Sequence, residues 1–402
     1  MGPTIRALLK SKTGAILIIL EVAITLAIVS NALSMISTRS AAMARPSGVE
    51  EERLFTFRSA PIDRNTYPAE AAFAADRARL LALPGVENAY ATDQLPLSGS
   101  GSSTSVKLGP DDPRESQTAT YYADENTLAT LGVKLLSGRN FDAREIRTLK
   151  PRADDTPSVV LISKALSESL FPDGAAIGKR LAGRDESAGT GPEIVGVYGK
   201  LQSPWNGDET IENTLLMPFR PGGRVAWVVR AQPEAVPGLQ ILARETLANA
   251  DRSRMVGPTA QSMLEIRAES YRDDRAMIVL MSILSSLLIV ITALGIVGMA
   301  SFWVTQRTKQ IGMRRALGAT RTAIVREFQL ENALLTSAGA VLGIALAYGA
   351  NYWFARQANI PMLPLSYVLI GIVLVFALGQ LAVLRPAQRA SRVSPAIATR
   401  SV

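Results

Sequence analysis

The chain contains no cysteine and no histidine among its 402 residues. It therefore has no thiolate nucleophile, no imidazole base, and none of the Cys or His ligands that build structural zinc sites. It also lacks a Gly-x-Ser-x-Gly elbow and a Ser-x-x-Lys pair, the local signatures of two hydrolase classes. We predict a non-catalytic chain with no catalytic residue, no metal site and no cofactor of its own.

Charged residues are nearly absent from four long windows, and each window is near or above the ~20 residues that a helix needs to cross a bilayer core. The windows are Gly14–Ile36, Ala276–Val304, Leu330–Phe354 and Leu365–Leu384. Glu21 is the single charge inside the first window, and Glu331 lies at the margin of the third. The sequence therefore predicts a membrane protein with four transmembrane helices.

The first window has a second interpretation. Basic residues, an apolar stretch and then Ala42-Met43-Ala44 also fit a cleaved signal peptide. The apolar stretch is longer than the ~7–15 residues of a typical signal core, which favours a retained signal anchor. The rest of the predicted topology is the same in both cases.

The net charge of +8 comes from basic residues that flank the apolar windows. Residues 37–275 hold 29 basic and 32 acidic residues, so they contribute none of the excess. Lys and Arg cluster on the cytoplasmic side of membrane segments. The distribution indicates a lipid bilayer rather than nucleic acid as the partner. It predicts that both termini and the 305–328 loop lie in the cytoplasm and that residues 37–275 lie on the other side of the membrane.

Three regions follow from this layout, and the fold class we expect is α+β. Residues 1–36 form the cytoplasmic N-terminus and the first transmembrane helix. Residues 37–275 form a large mixed α/β extracytoplasmic domain with a stalk, inserted between helices 1 and 2. Residues 276–402 form a three-helix transmembrane domain with the basic 305–328 loop and a basic tail.

Local patterns predict short strands and helices within residues 37–275. The predicted strands are Arg53–Arg58, Val159–Ile162, Glu193–Tyr198, Leu215–Met217 and Val225–Val229, and the predicted helices are Ala69–Leu83, Ser163–Leu170 and Val236–Ala248. The Gly- and Ser-rich stretch Ser98–Ser105 is predicted to be a mobile loop.

Pro258 suits a helix start, and no later proline interrupts the chain before Val304. We therefore predict one continuous helix from Pro258 to Val304, although a flexible tether at this junction is the alternative.

The basic loop carries the strongest motif. Arg307 to Ala319 reads Arg-Thr-Lys-Gln-Ile-Gly-Met-Arg-Arg-Ala-Leu-Gly-Ala and follows an apolar helix that contains Gly295-x-x-Gly298. This pattern resembles the FtsX/MacB-type ABC transporter permeases. Shorter stretches that agree in order are Leu83-Pro84-Gly85-Val86, Leu131-Gly132-Val133, Gly138-Arg139-Asn140-Phe141, Leu170-Phe171, Ile177-Gly178-Lys179, Ile194-Val195-Gly196-Val197, Pro386-x-x-Arg389-Ala390 and Ser394-Pro395. The sequence departs from the family at Gln310, where the family usually has Glu.

The resemblance implies a multi-pass protein of the bacterial inner membrane with residues 37–275 in the periplasm. It also implies a mechanical role. Permeases of this family dimerise, meet an ATPase on the cytoplasmic side and transmit its motion to an outer domain on a stalk. The leading expectation is efflux of a drug, peptide or other periplasmic cargo, with a periplasmic adaptor and a second permease chain, identical or related. The large outer domain favours efflux over an FtsX-like scaffold that regulates a cell-wall hydrolase. Lipoprotein extraction is a further alternative.

A nucleotide site is not expected in the chain itself. A Walker A loop needs Gly-x-x-x-x-Gly-Lys-Ser/Thr. The nearest string, Gly174 to Arg180, is one residue short and ends in Arg. The family's fused ATPases lie at the N-terminus, where Met1–Lys12 leaves no room for one. We therefore expect ATP and Mg²⁺ to be bound by a separate ATPase subunit.

The loop is predicted to dock on that ATPase. Its site residues are Arg307, Lys309, Gln310, Ile311, Gly312, Met313, Arg314, Arg315, Ala316, Leu317, Gly318 and Ala319. Ile311, Met313, Ala316 and Leu317 are expected to form an apolar face that enters a groove, with Arg314 and Arg315 pairing with acids at its rim. The alternative is that the basic residues only set the topology and contact anionic lipid headgroups.

Two features inside the windows are candidates for helix packing or for a dimer interface. Glu21 is an ionisable residue at inner-leaflet depth, and such residues normally face protein rather than lipid. Gly339, Gly343 and Ala347 place small residues at four-residue spacing on one helix face, where another helix can approach closely. For the small residues the alternatives are packing within one chain or contact between two chains. For Glu21 they are a protonated or hydrogen-bonded structural contact, or a role in coupling or in the alignment of two chains in a dimer.

Overall fold

A computed structural model describes residues 12–63, 65–149, 156–183, 187–207, 210–358 and 362–394. The chain divides into two compact units. Met1–Met43 and Asp274–Val402 form one, here called the helix unit, and Ala44–Asp273 form the other, the α/β unit.

The described residues contain ten α-helices and twelve strands. The helices are α1 (Lys12–Ala44), α2 (Ala69–Leu81), α3 (Thr127–Leu131), α4 (Lys164–Leu170), α5 (Val236–Ala250), α6 (Met263–Ser270), α7 (Arg272–Gln306), α8 (Thr308–Ala316), α9 (Arg321–Ala358) and α10 (Leu365–Ser391). The strands are β1 (Leu54–Pro61), β2 (Val86–Thr92), β3 (Ser103–Lys107), β4 (Glu115–Tyr122), β5 (Leu135–Gly138), β6 (Arg147–Thr148), β7 (Val159–Ser163), β8 (Glu193–Tyr198), β9 (Thr214–Met217), β10 (Phe219–Arg220), β11 (Val225–Ala231) and β12 (Arg254–Ser262).

The α/β unit is built on a four-stranded antiparallel sheet in the order β12-β1-β11-β2. The chain order β1-α2-β2 followed by β11-α5-β12 is the β-α-β-β-α-β motif of ferredoxin-like folds. One face of β1 turns Phe55 and Phe57 towards α2 and α5, where they pack with Phe73, Trp227 and Leu239. Alternate residues of β1 therefore face away from this core.

Residues 93–224 are inserted between β2 and β11 and carry a second sheet. This sheet has six strands in the order β3-β4-β9-β7-β8-β5, with a separate β6-β10 pair beside it. Val160, Ile162 and Ile194 pack against Leu166 and Leu170 of α4. Ser163 caps α4 by accepting a hydrogen bond from the Leu166 backbone N–H at 3.2 Å, which explains why the helix begins at Lys164.

A buried ion pair lies under the four-stranded sheet. Asp76 of α2 and Arg254 of β12 are 2 % and 6 % exposed, and Nη2 of Arg254 donates to Oδ1 of Asp76 at 2.8 Å. Arg79 also reaches Oδ1 of Asp76 at 3.0 Å. Buried charges persist where they are paired and hydrogen-bonded in this way, because an isolated one is costly to desolvate.

In the part of the helix unit that the structure describes, four helices are long and apolar enough to cross a membrane: α1, α7, α9 and α10. The four predicted apolar helices are therefore confirmed. Helix α1 packs against the other three, and the Thr25 and Thr292 hydroxyls join α1 to α7 by a 2.7 Å hydrogen bond. On α10, a Cβ at Gly371 would collide with Ser30 of α1, so close approach of these helices depends on a small residue.

Most predicted elements of the α/β unit are present, with ends that shift by a few residues. Two predictions fail. Part of Ser98–Ser105 is strand β3, and Gln94 holds Ser102, directly before this strand, by accepting from its N–H and donating to its C=O. Residues 142–157 and 183–192 are rich in charge or glycine, which predicts connecting segments, and both segments lie partly outside the described residues.

The prediction of one helix from Pro258 to Val304 is wrong. Arg254–Ser262 forms strand β12 instead, and Pro258 lies at a bulge opposite β1, where its missing N–H costs no ladder bond. Helix α6 starts after Ser262, which forms a capping box with Glu265. It ends before Tyr271, whose dihedrals (φ −101°, ψ 16°) leave the helical range, and α7 begins at the next residue.

Candidate functional site

The short helix α8 is held on the helix unit by one buried side chain. Ile311 is 5 % exposed and packs with Ile324 and Phe328 of α9 and with Ala387 and Ala390 of α10. Gly312 beside it is also buried. This face of α8 is therefore part of the protein's own core and is not available to a partner.

The opposite face of α8 carries the exposed apolar residues. Met313 is 60 % exposed and Leu317 is 83 % exposed, and Ala316 between them is exposed as well. Their i, i+3, i+4 spacing places them on one side of a helix. The predicted apolar face is thus corrected: Ile311 points into the core, and the exposed patch consists of Met313, Ala316 and Leu317.

The end of α8 is a tight turn centred on Gly318. Its φ is +97°, in the left-handed region that glycine adopts without a Cβ penalty. The Ala319 N–H donates to the Arg314 carbonyl at 3.0 Å and the Gly318 N–H donates to the Arg315 carbonyl at 3.2 Å. These two bonds are the Schellman motif, which ends the helix directly after Leu317 and leaves that side chain at its tip.

The loop arginines have acidic partners within the chain. Arg314 forms an ion pair with Glu327 of α9, with Nη1 to carboxylate oxygen distances of 2.5 and 2.6 Å. Arg307 donates to both carboxylate oxygens of Glu331 at 2.8 Å, and that glutamate is 2 % exposed. Arg314 therefore has an acidic partner within the chain, and Arg315 donates to the Ala319 carbonyl at 3.4 Å. The pairing of these two arginines with acids of a partner protein stays a prediction.

Sequence reasoning missed Glu327 and Glu331 as members of the site. Their four-residue spacing on the first turns of α9 places both on the helix face that meets the loop.

Gln310 lines a small cleft with Arg307, Arg314 and these two glutamates. Two positive and two negative charges balance there, so a glutamate at position 310 would add a third carboxylate. Lys309 is exposed and does not line this cleft.

Helix α9 begins with a side-chain cap. Thr320 precedes its first residue, and the Ala323 N–H donates to Thr320 Oγ1 at 3.2 Å. The loop from Arg307 to Thr320 is thus bounded by ion pairs, a Schellman turn and an N-cap, all of which position the exposed patch.

Glu21 lies on α1 against α7. A Cβ added to Gly295 would collide with its carboxylate, so the glycine makes room for the acid. Among the residues that the structure describes, none forms a hydrogen bond or ion pair with Glu21. The side chain is half-buried.

The small-residue stripe of α9 faces α1. A Cβ at Gly339 would meet Val22, and one at Gly343 would meet Ala23 and Leu26. Ala347 is fully buried and packs with Ala27 of α1 and Val368 of α10. The structure therefore brings these three residues together inside one chain, whereas Glu21 lies towards α7.

The described residues contain no group of three or more acidic side chains that could hold a metal ion.

Residues 15–241 match the MacB-like periplasmic core domain, and residues 282–395 match the FtsX-like permease C-terminal domain. The chain belongs to the MacB/FtsX family of ABC transporter permeases. The resemblance that the loop motif indicated is confirmed, and the periplasmic-type domain matches the α/β part of the chain.

Two relatives are similar to this permease over most of its length. It is 24 % identical over 298 residues to the uncharacterized ABC transporter permease YvrN of Bacillus subtilis (strain 168), covering 70 % of this chain and 69 % of YvrN. It is 24 % identical over 278 residues to the macrolide export ATP-binding/permease protein MacB of Chromobacterium violaceum, covering 66 % of this chain but only 40 % of that protein. The crystal structure of the periplasmic region of MacB from Actinobacillus actinomycetemcomitans covers 57 % of this chain and 97 % of its own, with 14 % identity and a TM-score of 0.34.

Proposed function

We propose that this permease is the membrane subunit of an exporter and that it couples to a separate cytoplasmic ATPase, which binds ATP and Mg²⁺. The single observation that carries the proposal is the exposed patch of Met313, Ala316 and Leu317. A leucine that is 83 % exposed at the tip of a short, well-anchored helix is a typical anchor for a groove on a partner.

The proposed orientation puts this patch in the cytoplasm. The loop and both ends of the chain carry the excess of Lys and Arg, and such residues stay on the inner side of a membrane. Residues 37–275 would then lie in the periplasm, and the protein would reside in the inner membrane of a bacterium.

The anchoring contacts support a role in transmitting motion. Ile311, Arg307 and Arg314 connect α8 to α9 through a buried cluster and two ion pairs. A force applied to Leu317 would therefore act on the membrane helices instead of only bending a loose loop. We propose that the ATPase cycle moves the helices in this way and that the periplasmic domain responds.

The test of docking is the substitution Leu317→Asp in the full chain, purified from its native membrane under mild conditions. We expect at least tenfold less co-purifying vanadate-sensitive ATPase, because a desolvated carboxylate opposes entry into an apolar groove. The matched control is Thr320→Asp, which adds the same charge three residues away and keeps a good N-cap. Gly318 is left unchanged, since its φ of +97° would add strain to any replacement.

The control must retain the ATPase for the comparison to hold. Equal ATPase recovery from the wild type and from Leu317→Asp would refute docking through this patch. The co-purified chain is identified by mass spectrometry, and it must contain a Walker A loop to count as support.

Glu21 supports a further part of the proposal, which is contact with a second permease chain. A charged residue within a membrane span costs about 3 kcal/mol or more unless protein covers it. No described residue pairs with this carboxylate, and Gly295 keeps the adjacent surface of α7 flat. A second chain, identical or related, packed over this surface of α1 and α7 would remove the carboxylate from lipid.

For the cargo we propose efflux from the periplasm with an adaptor protein, which rests on the family alone. The competing roles are activation of a cell-wall hydrolase and lipoprotein extraction. Cross-linking of the full chain in intact cells separates the three, because the trapped periplasmic partner would be an adaptor, a hydrolase or a lipoprotein carrier. Recovery of a hydrolase or a carrier in place of an adaptor would refute efflux.

A further inference from the structure

The α/β unit contains a cleft on the face of its four-stranded sheet that lies opposite the core. Phe55 and Phe57 turn into that core, so Thr56 and Arg58 of β1 point the other way. Gln261 of β12 pairs with Thr56 in the sheet and shares its face. All three residues line the cleft.

Two loops form the opposite wall and hold each other in place. The Leu97 N–H donates to the Ser203 carbonyl at 3.1 Å, and the Gly99 N–H donates to the Pro204 carbonyl at 2.9 Å. Leu97 has a φ of +61° although it is not glycine, and its side chain is 1 % exposed. L-residues avoid this conformation, so the surrounding contacts impose it, as often happens at binding sites. Pro204 and the half-buried Trp205 add an apolar surface to this wall.

The polar groups at the floor of the cleft lack partners among the described residues. Thr56 is 6 % exposed, and its Oγ1 is buried without a hydrogen bond. Arg58 is exposed and forms no ion pair with any described residue. The acid at the rim, Glu269, is already paired with Arg272 at 2.9 Å. A buried hydroxyl in this state needs a water or ligand partner, and the unneutralised charge of the cleft is positive.

From this arrangement we infer that the cleft binds an amphipathic organic anion. The apolar body of the ligand lies against Trp205 and Pro204, its acidic group faces Arg58, and Thr56 and Gln261 hydrogen-bond to it. The cleft has a volume of about 500 Å³, within the ~300–1,000 Å³ of small-molecule sites. Helix α6 contributes Ile266 to another wall, so a bound anion would contact the helix that precedes α7 in the chain. This site is independent of the ATPase and of the proposed cargo.

The test uses the full chain in phosphatidylcholine nanodiscs and three small probes of the same shape: phenylbutyrate, neutral phenylbutanamide and cationic phenylbutylamine. Binding is followed by saturation-transfer NMR of the phenyl protons, with empty nanodiscs as the blank. We expect phenylbutyrate to bind at least about fivefold more tightly than the amide, and the amine not to bind, because charge-assisted hydrogen bonds are the stronger ones.

Two variants assign this binding to the cleft. Arg58→Gln should weaken phenylbutyrate binding about tenfold and abolish the preference over the amide, whereas Arg252→Gln, on an exposed arginine outside the cleft, should change neither. Thr56→Val should weaken binding about threefold to tenfold without lowering thermal stability, since Thr56 Oγ1 has no hydrogen bond to lose.

Three results would overturn the inference. They are no saturation transfer to phenylbutyrate above the blank, equal binding of the anion and the amide by the wild type, and unchanged binding in both Arg58→Gln and Thr56→Val. A loss of binding in Thr56→Val that is accompanied by a lower melting temperature would also count against it, because it would mean that Thr56 supports the fold.

Discussion

Two apolar residues, Ile311 in α8 and Leu317 directly after it, distinguish the part of the loop that packs on the protein from the part that we expect to bind a partner. The perturbations are Ile311→Ala and Leu317→Ala, which lie six residues apart and each remove three carbon atoms. Ile311 is 5 % exposed, whereas Leu317 is 83 % exposed. The same chemical change therefore falls on a packed site in one variant and on a solvated site in the other.

The magnitudes follow from this difference in burial. At ~0.8 kcal/mol per buried methylene, Ile311→Ala loses about 2.4 kcal/mol of transfer energy, and the cavity left beside Phe328 raises the total to about 3 kcal/mol. For Leu317→Ala the same sum, scaled to the buried sixth of the side chain, is about 0.4 kcal/mol. A difference of about 2.6 kcal/mol corresponds to a factor of nearly a hundred in a local opening equilibrium.

Hydrogen exchange of the α8 amides in nanodiscs measures that equilibrium. We expect Ile311→Ala to accelerate exchange across Thr308–Ala316 by about a hundredfold and Leu317→Ala to change it less than threefold. Recovery of the ATPase should fall in Leu317→Ala even though its exchange is unchanged. Equal exchange in the two variants, or faster exchange in Leu317→Ala, would refute the assignment of one face to the core and the other to a partner.

Two further outcomes test other parts of the account. Burial raises the pKa of the Asp93 carboxyl, whose Oδ1 accepts a hydrogen bond from the Tyr122 N–H at 3.0 Å. The folded protein therefore favours the protonated carboxyl, and the stability that this gives is present at low pH. It is lost as the pH rises from about 4, the carboxyl pKa in the unfolded chain, through the raised pKa of the folded state. Asp93→Asn should therefore gain stability relative to the wild type from pH 4 to pH 7 in chemical unfolding, and a constant or shrinking difference would contradict this sign. For a second, identical chain, Ile24→Cys replaces an exposed residue of α1 one turn from Glu21 and should form a disulfide-linked dimer in membranes under mild oxidation. Val373→Cys, at an exposed residue of α10, should not, and the reverse pattern would place the interface elsewhere.

The long apolar windows correctly predict the four long apolar helices, because the length of a window and its lack of charge identify such a helix almost alone. The strands with strong β-branched runs, such as Glu193–Tyr198, were also predicted with their observed ends. Strand β4 was not predicted, since its sequence Glu-Ser-Gln-Thr-Ala-Thr-Tyr-Tyr has little hydrophobic alternation and its pairing with β3 and β9 comes from the tertiary fold.

Sequence alone was less informative about the loop, for a specific reason. The predicted apolar face groups Ile311 with Met313 and Ala316, which lie two and five residues further along the chain. Positions that are two residues apart point about 200° apart around a helix, so Ile311 and Met313 lie on different faces. Burial then assigns Ile311 to the core and Met313 to the surface. The partners Glu327 and Glu331 lie one turn apart on the next helix, and only the three-dimensional arrangement shows which arginine each of them meets.

The sequence before α7 contains two competing signals for the start of a helix, a capping box and a proline. Ser262 and Glu265 have the spacing of a capping box, which marks a helix start at Met263. The proline at position 258 suggested an earlier start, but that segment pairs with β1 and forms the edge of a sheet. Pairing with a distant strand cannot be read from the local sequence.

The proposed function requires the α8 loop and the α/β unit to lie on opposite sides of the membrane. Because the chain contains no cysteine, single introduced cysteines can report the side on which each part lies. Single cysteines replace two exposed residues, Asn249 at the end of α5 and Ala323 on the first turn of α9, and intact spheroplasts are treated with a membrane-impermeant maleimide. We predict that Asn249→Cys is labelled at once and that Ala323→Cys is labelled only after the membrane is permeabilised. Labelling of Ala323→Cys in intact spheroplasts with protection of Asn249→Cys would contradict the proposed topology and, with it, the docking of a cytoplasmic ATPase on this loop.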